Sequence, residues 1–182
     1  EWVAGHVLRH AVARAGVDPA EVEDVVMGTV LAAGTAGMNI ARNAGFAARL
    51  PAGVAAQTMD RQCASGLTAI ATAAKQIMVD GQTVTAAGGQ ENISAVQDRY
   101  FTWAAEEVDP NVIAHAEHAY MPMLKTAEVV AERYGVSRAA QDDYALSSQR
   151  RTAAAQEAGR FDAEIVPFET TMMVKDRETG AG

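Results

Sequence analysis

Three short apolar runs, residues 25–31, 55–59 and 83–87, alternate along the chain with longer segments of helical period. This alternation constrains the fold more than any other feature. A strand, a helix and a second strand return the chain parallel to itself, and repeats of that unit build a helix-covered parallel sheet. Residues 25–31 read Val-Val-Met-Gly-Thr-Val-Leu, continuous and rich in β-branched side chains, as a strand buried on both faces requires. The helices carry their own signals. Residues 2–15 place Val3, Val7, Leu8, Ala11, Val12 and Ala15 on one face and stop at Gly16. Asp18-Pro19-Ala20-Glu21 has the form of a helix-start cap. Residues 39–50 form an Ala-rich helix stopped by Pro51, and a helix follows Cys63 as far as Asp80, with Gly81 ending it. In that last helix Leu67, Ile70, Ala71, Ala74, Ile77 and Met78 recur at helical spacing, which predicts that most of it is buried.

Beyond Ser94 the pattern changes. Residues 95–122 mix aromatic, acidic and proline residues without a clear period and read as an excursion from the sheet. Helices follow over 124–134, ended by Gly135, and from Ser137 as cap to Ala158, ended by Gly159. Short strands are expected over 164–167 and 171–174, and a turn over 176–180.

Composition narrows the partners. The net charge of −8 disfavours nucleic acid. Hydrophobic residues reach 49%, largely alanine, while aromatics are only 5%, which predicts tight helix-on-sheet packing by small side chains. No apolar stretch is long enough to span a bilayer and no signal peptide opens the sequence, so a soluble, cytoplasmic protein without a membrane partner is expected. One cysteine excludes an internal disulfide and suits a reducing compartment.

That cysteine, Cys63, falls between the second strand and the helix after it, which places it in the helix's first turn. Unpaired N–H groups and the positive end of the helix dipole there favour a thiolate and an oxyanion. Reactive groups in α/β folds gather at the carboxyl ends of strands, where Cys63 and Gly88-Gly89 both lie. Gly66 permits close backbone approach, and Ala64 and Ser65 leave space around the sulfur. Asp60 and Arg61 bring opposite charges close to it. Two readings stand: a catalytic nucleophile, or a buried structural thiol. His6 and His10 lie four apart, and His115 and His118 three apart, but neither pair has a third ligand in sequence. They read as solvated histidines, and no metal site is expected. No GxGxxG pattern occurs, so a dinucleotide site has no support.

Four segments in order carry a family resemblance. Arg61-Gln62-Cys63-Ala64-Ser65-Gly66-Leu67 resembles the acyl-enzyme cysteine motif of thiolases, and Gly88-Gly89-Gln90-Glu91-Asn92-Ile93-Ser94 their glycine turn. Met123-Leu124-Lys125-Thr126-Ala127-Glu128 is similar to MGxTAE, and the stretch from Ser137-Arg138 to Glu164-Ile165-Val166-Pro167 resembles the helix that follows. The resemblance spans nearly the whole chain and implies the N-terminal half of the thiolase-like α/β fold. On it, residues 1–91 form an α/β core lacking its first strand, and residues 92–182 form a truncated part of an inserted loop domain.

By the same resemblance Cys63 is the nucleophile that carries an acyl group between coenzyme A thioesters, and Met123 lines the acyl pocket. As a residue in its own right, Met123 reads equally well as core filler ahead of a helix. The implied partners are acyl-CoA and coenzyme A as substrates, with no other cofactor, in a homodimer or homotetramer. The activating histidine, the second cysteine and the oxyanion-hole Asn and His belong to the family's C-terminal half, and these residues match none of those motifs. The fragment alone is therefore expected to be a poor catalyst. Asp60 stands where the family usually has Asn, Ser or Thr, and a carboxylate there works against a thiolate. Leu124 replaces the usual Gly of MGxTAE, and Pro122 replaces the His of many biosynthetic members, which is similar to the degradative or broad 3-ketoacyl branch. The alternatives are a ketoacyl-synthase-type condensing enzyme and a non-catalytic acyl-CoA-binding or scaffold subunit.

Overall fold

A computed structural model describes residues 2–171. The chain divides into two compact units: Trp103–Ile165 is one, and the remainder is the other.

The larger unit is the α/β core. Helix α1 (Trp2–Ala15) ends at Gly16, whose φ of 67° is the left-handed stop predicted for it. Asp18 caps a single 3-10 turn, Pro19–Glu21, through the full reciprocal capping box. Strand β1 (Asp24–Gly28) is buried at every position, and α2 (Ile40–Ala47) is capped by Asn39. Strand β2 (Ala55–Met59) matches its predicted limits, α3 (Ser65–Val79) follows, and β3 (Thr85–Gly89) completes a parallel sheet of order β2-β1-β3. Gly28 pairs with Met59 on one side and Gly89 on the other, so the three strands end level.

Alternation along β1 divides the core. Val25 and Met27 pack with Ala4, Leu8, Val12, Ile40 and Ala44 of α1 and α2. Val26 packs with Ala69 and Ala73 of α3. Both faces of the central strand are thus covered, which is why its sequence is apolar without interruption.

Several expectations need correction, among them the end of the helix expected over 39–50, which stops at Ala47. Strand β1 ends at Gly28 and β3 runs to Gly89, so residues 29–31 leave the sheet and Gly88-Gly89 belong to it. Helix α3 is seated by Ser65, Ala69 and Ala73, whereas the stripe Leu67, Ile70, Ala71, Ala74, Ile77 and Met78 is exposed. Small side chains let the helix backbone approach the sheet, and periodicity alone could not choose between its two apolar faces. Residues 95–122, which showed no period, hold most of α4 (Ile93–Glu106) and all of α5 (Pro110–His115), the latter capped by Asp109.

The smaller unit contains α5, α6 (Met123–Tyr134) and α7 (Arg138–Glu157). Gly135 ends α6 at φ 64°, Ser137 caps α7, and Gly159 follows α7 at φ 64°, all as read from sequence. The helices of this unit hold no fully buried residue among those described. Residues 164–167 form no strand. The strand expected over 171–174 and the turn over 176–180 extend past residue 171, outside the described residues. Among the described residues no helix is long and apolar enough to cross a membrane.

Candidate active site

Cys63 lies four residues beyond the end of β2 and one residue before Ala64, the N-cap of α3. The first-turn placement expected from sequence is therefore early by two residues, since α3 begins at Ser65. Two tight turns intervene: the N–H of Ala64 donates to the Arg61 carbonyl at 3.1 Å and that of Ser65 to the Gln62 carbonyl at 2.9 Å. Gln62 sits at φ 49°. A non-glycine residue there costs about 1–2 kcal/mol, and the reversal turns the chain so that Cys63 emerges exposed. Among the described residues the thiol is exposed.

Ser65 secures the turn. Its hydroxyl donates to the Gln62 carbonyl at 2.6 Å and accepts the Arg61 N–H at 2.8 Å, and the residue is 4% exposed. Asp60 accepts the Gln62 N–H at 2.7 Å through Oδ1, so this carboxylate is engaged within the turn that delivers Cys63.

The turn rests on glycine. A Cβ at Gly28 would lie 2.3 Å from the Ser65 carbonyl carbon, and one at Gly89 would lie 3.0 Å from the Gly66 Cα. Gly28 and Gly89 are the last residues of their strands, so α3 is set directly on the strand ends, backbone to backbone. Gly66, singled out from sequence for close approach, makes only ordinary contact, 3.6 Å to Gly89. Gly28, which makes the tightest approach, carried no sequence signal beyond being a glycine in an apolar run.

Beside Cys63 opens a cavity of about 430 Å³. Its walls come from three places: Val30 and Leu31 after β1, Gln90 and Glu91 after β3, and Ile93 and Phe101 of α4. The wall after β1 is held by Glu91. Its Oε1 accepts the Thr29 hydroxyl at 3.3 Å and the Val30 N–H, and its Oε2 accepts the Leu31 N–H at 3.3 Å. In sequence Glu91 is one letter of the glycine-turn motif and no role attaches to it. The only signal available there is a carboxylate that follows a glycine turn.

No histidine lines this cavity. His6 and His10 lie side by side on α1, ring centroids 4.6 Å apart and tilted by 57°, and His6 Nε2 donates to the Pro167 carbonyl at 2.9 Å. Partial desolvation, followed by the nearby charges of His6, Arg9 and Arg14, holds His10 below the ordinary histidine range. His115 ends α5 and His118 follows it in the smaller unit, where Met123 also opens α6, 74% exposed. Among the described residues no group of three or more His, Cys, Asp or Glu could hold a metal ion. The site thus supplies an accessible sulfur, a largely apolar cavity and a rigid seat, and no histidine among its lining residues.

Comparison with known proteins agrees with the resemblance. Residues 2–180 match the family described as thiolase, N-terminal domain. An acetyl-CoA acetyltransferase of Cupriavidus necator is 44% identical over 170 residues, covering 88% of this chain and 43% of the relative. A peroxisomal 3-ketoacyl-CoA thiolase 2 of Arabidopsis thaliana is 39% identical, covering 96% of this chain and 37% of the relative. A 3-ketoacyl-CoA thiolase of Bacillus subtilis is 40% identical, covering 91% and 41% respectively. The chain therefore spans well under half the length of these curated relatives.

Proposed function

Because this chain belongs to the thiolase family, as its N-terminal domain, we propose that it supplies the nucleophile half of an enzyme that moves acyl groups between coenzyme A thioesters. The observation that carries the proposal is the place of Cys63: exposed, beside a cavity, at the carboxyl edge of a parallel sheet. In the cleavage direction the Cys63 thiolate adds to the C3 carbonyl of a 3-ketoacyl-CoA. The C2–C3 bond then breaks, its electron pair leaves on C2, and a proton there completes acetyl-CoA. The acyl group remains on Cys63 as a thioester until the thiolate of a second coenzyme A displaces the sulfur. Condensation runs the same steps in reverse. Both directions need a base to take the thiol proton and an acid to protonate C2, and the cavity lining holds no histidine and no second cysteine for these tasks, its one carboxylate, Glu91, being engaged with Thr29, Val30 and Leu31. These groups are assigned to the remainder of a parent chain.

The division into an α/β core over 1–91 and part of a loop domain over 92–182 belongs to this proposal, supported by the end of the sheet at Gly89 and the helices that follow it. Met123 is proposed to line the acyl site within the assembled enzyme. Acyl-CoA and coenzyme A are the proposed small-molecule partners, with the parent chain as a homodimer or homotetramer. The exposed apolar stripe of α3, with Leu67 at 73% and Met78 at 81%, supports a cover from the parent chain or another copy. The single unpaired cysteine supports a cytoplasmic location.

Intact-mass analysis after incubation with acetyl-CoA or acetoacetyl-CoA tests the proposal. An acyl-sized gain that disappears in Cys63→Ala is expected for the parent chain. Acyl transfer that survives Cys63→Ala would refute it.

A further inference from the structure

We propose that Glu91 is a positioning residue for acyl transfer, acting on Cys63 by locking together the strand ends on which the cysteine turn is seated. This rests on the assignment of Cys63 as the nucleophile and adds a residue to it. The strand ends are stitched at one point, the loop that leaves β1. The Thr29 N–H donates to the Met59 carbonyl at 3.0 Å, tying β1 to the end of β2. The Gln90 N–H donates to the Gly28 carbonyl at 3.0 Å, and Gln90 Nε2 donates to the Thr29 hydroxyl at 3.3 Å, tying β1 to β3. Glu91 gathers what remains: the Thr29 hydroxyl, the Val30 N–H and the Leu31 N–H all donate to its carboxylate. Asn92 Nδ2 reaches the Thr35 hydroxyl at 2.9 Å, extending the clasp along the same loop.

Two consequences follow from where this clasp lies. Val30 and Leu31, whose backbone it holds, form a wall of the Cys63 cavity. Gly28, one residue before the clasped loop, bears directly on the Ser65 backbone, with a hypothetical Cβ only 2.3 Å away. Movement of the β1 end is therefore transmitted to the turn that presents Cys63, because no side chain lies between them to absorb it. A carboxylate suits this role because it accepts from several donors at once, and charge-assisted bonds are about twice as strong as neutral ones. An amide in its place accepts through one oxygen only and turns its NH2 toward a backbone donor.

The test uses the full-length parent chain carrying Glu91→Ala or Glu91→Gln, assayed for thiolysis of acetoacetyl-CoA. The folded fraction is measured by far-ultraviolet circular dichroism. The expected result is a kcat per folded site reduced about 10- to 100-fold in Glu91→Ala, with KM changed by less than about threefold. Glu91→Gln is expected to fall between the two. A kcat per folded site within about twofold of the unsubstituted chain in Glu91→Ala would overturn the proposal. If Glu91→Ala does not fold, Glu91→Gln decides alone: a reduced kcat with KM retained supports the proposal, and an unchanged kcat overturns it. Failure of the underlying assignment is separately visible, as acyl transfer by Cys63→Ala.

Discussion

The seat of α3 on the strand ends predicts a large effect from a single methyl group at Gly28. A Cβ there would lie 2.3 Å from the Ser65 carbonyl carbon, 2.5 Å from its oxygen and 2.6 Å from the Gly66 nitrogen. All three are backbone atoms, so no rotamer change relieves the contact. Optimal contact needs about 3.5–4.0 Å, so the Ser65–Gly66 peptide must recede by more than about 1 Å. The backbone at Gly28 is not left-handed, so alanine should otherwise gain about 0.4–1 kcal/mol from its stiffer unfolded chain. Against that gain stands an overpacking cost of about 1–3 kcal/mol or more. Net destabilisation of about 1–2 kcal/mol is expected in Gly28→Ala by urea unfolding. A displacement of about 1 Å at the nucleophile should also lower acylation of Cys63 by about 100-fold. Gly53→Ala is the control, since a methyl group there would meet nothing within 4 Å. A Gly28→Ala variant as stable as the Gly53→Ala control, with Cys63 acylated at the unsubstituted rate, would refute a backbone seat for α3 at Gly28.

Ala69 is fully buried against Val26, so Ala69→Leu should cost about 1–3 kcal/mol in urea unfolding; a neutral result would mean that α3 seats by another face. Glu23 Oε1 accepts the Thr83 hydroxyl at 2.6 Å and the Thr83 N–H at 2.7 Å, which holds its carboxyl below the ordinary 4.5. The folded state therefore favours the ionised form, so this contribution is complete above pH 4.5 and is lost as pH falls through the depressed value. Glu23→Gln should flatten that part of the acid limb in a pH series of unfolding midpoints, and an unchanged limb would refute the assignment.

Local chemistry determined by itself where several of the helices start and stop. Gly16, Gly135 and Gly159 end helices, Ser137 caps one, and β2 occupies its predicted residues. Each of these outcomes depends on atoms within a few residues, so each is written in the chain. The motif around Cys63 was legible for the same reason, since its turn is built from Asp60, Gln62 and Ser65. What lay beyond the sequence depends on partners remote along it. Which apolar face of α3 is buried depended on Val26, some forty residues earlier, meeting Ala69 and Ala73. The limits of β3 depended on Gly89 pairing with Gly28, where a strand tolerates glycine because α3 must come close. The role of Glu91 depended on Thr29, 62 residues away. Periodicity and capping report short-range preference, but a face, a seat and a clasp exist only once the sheet has brought distant strand ends level.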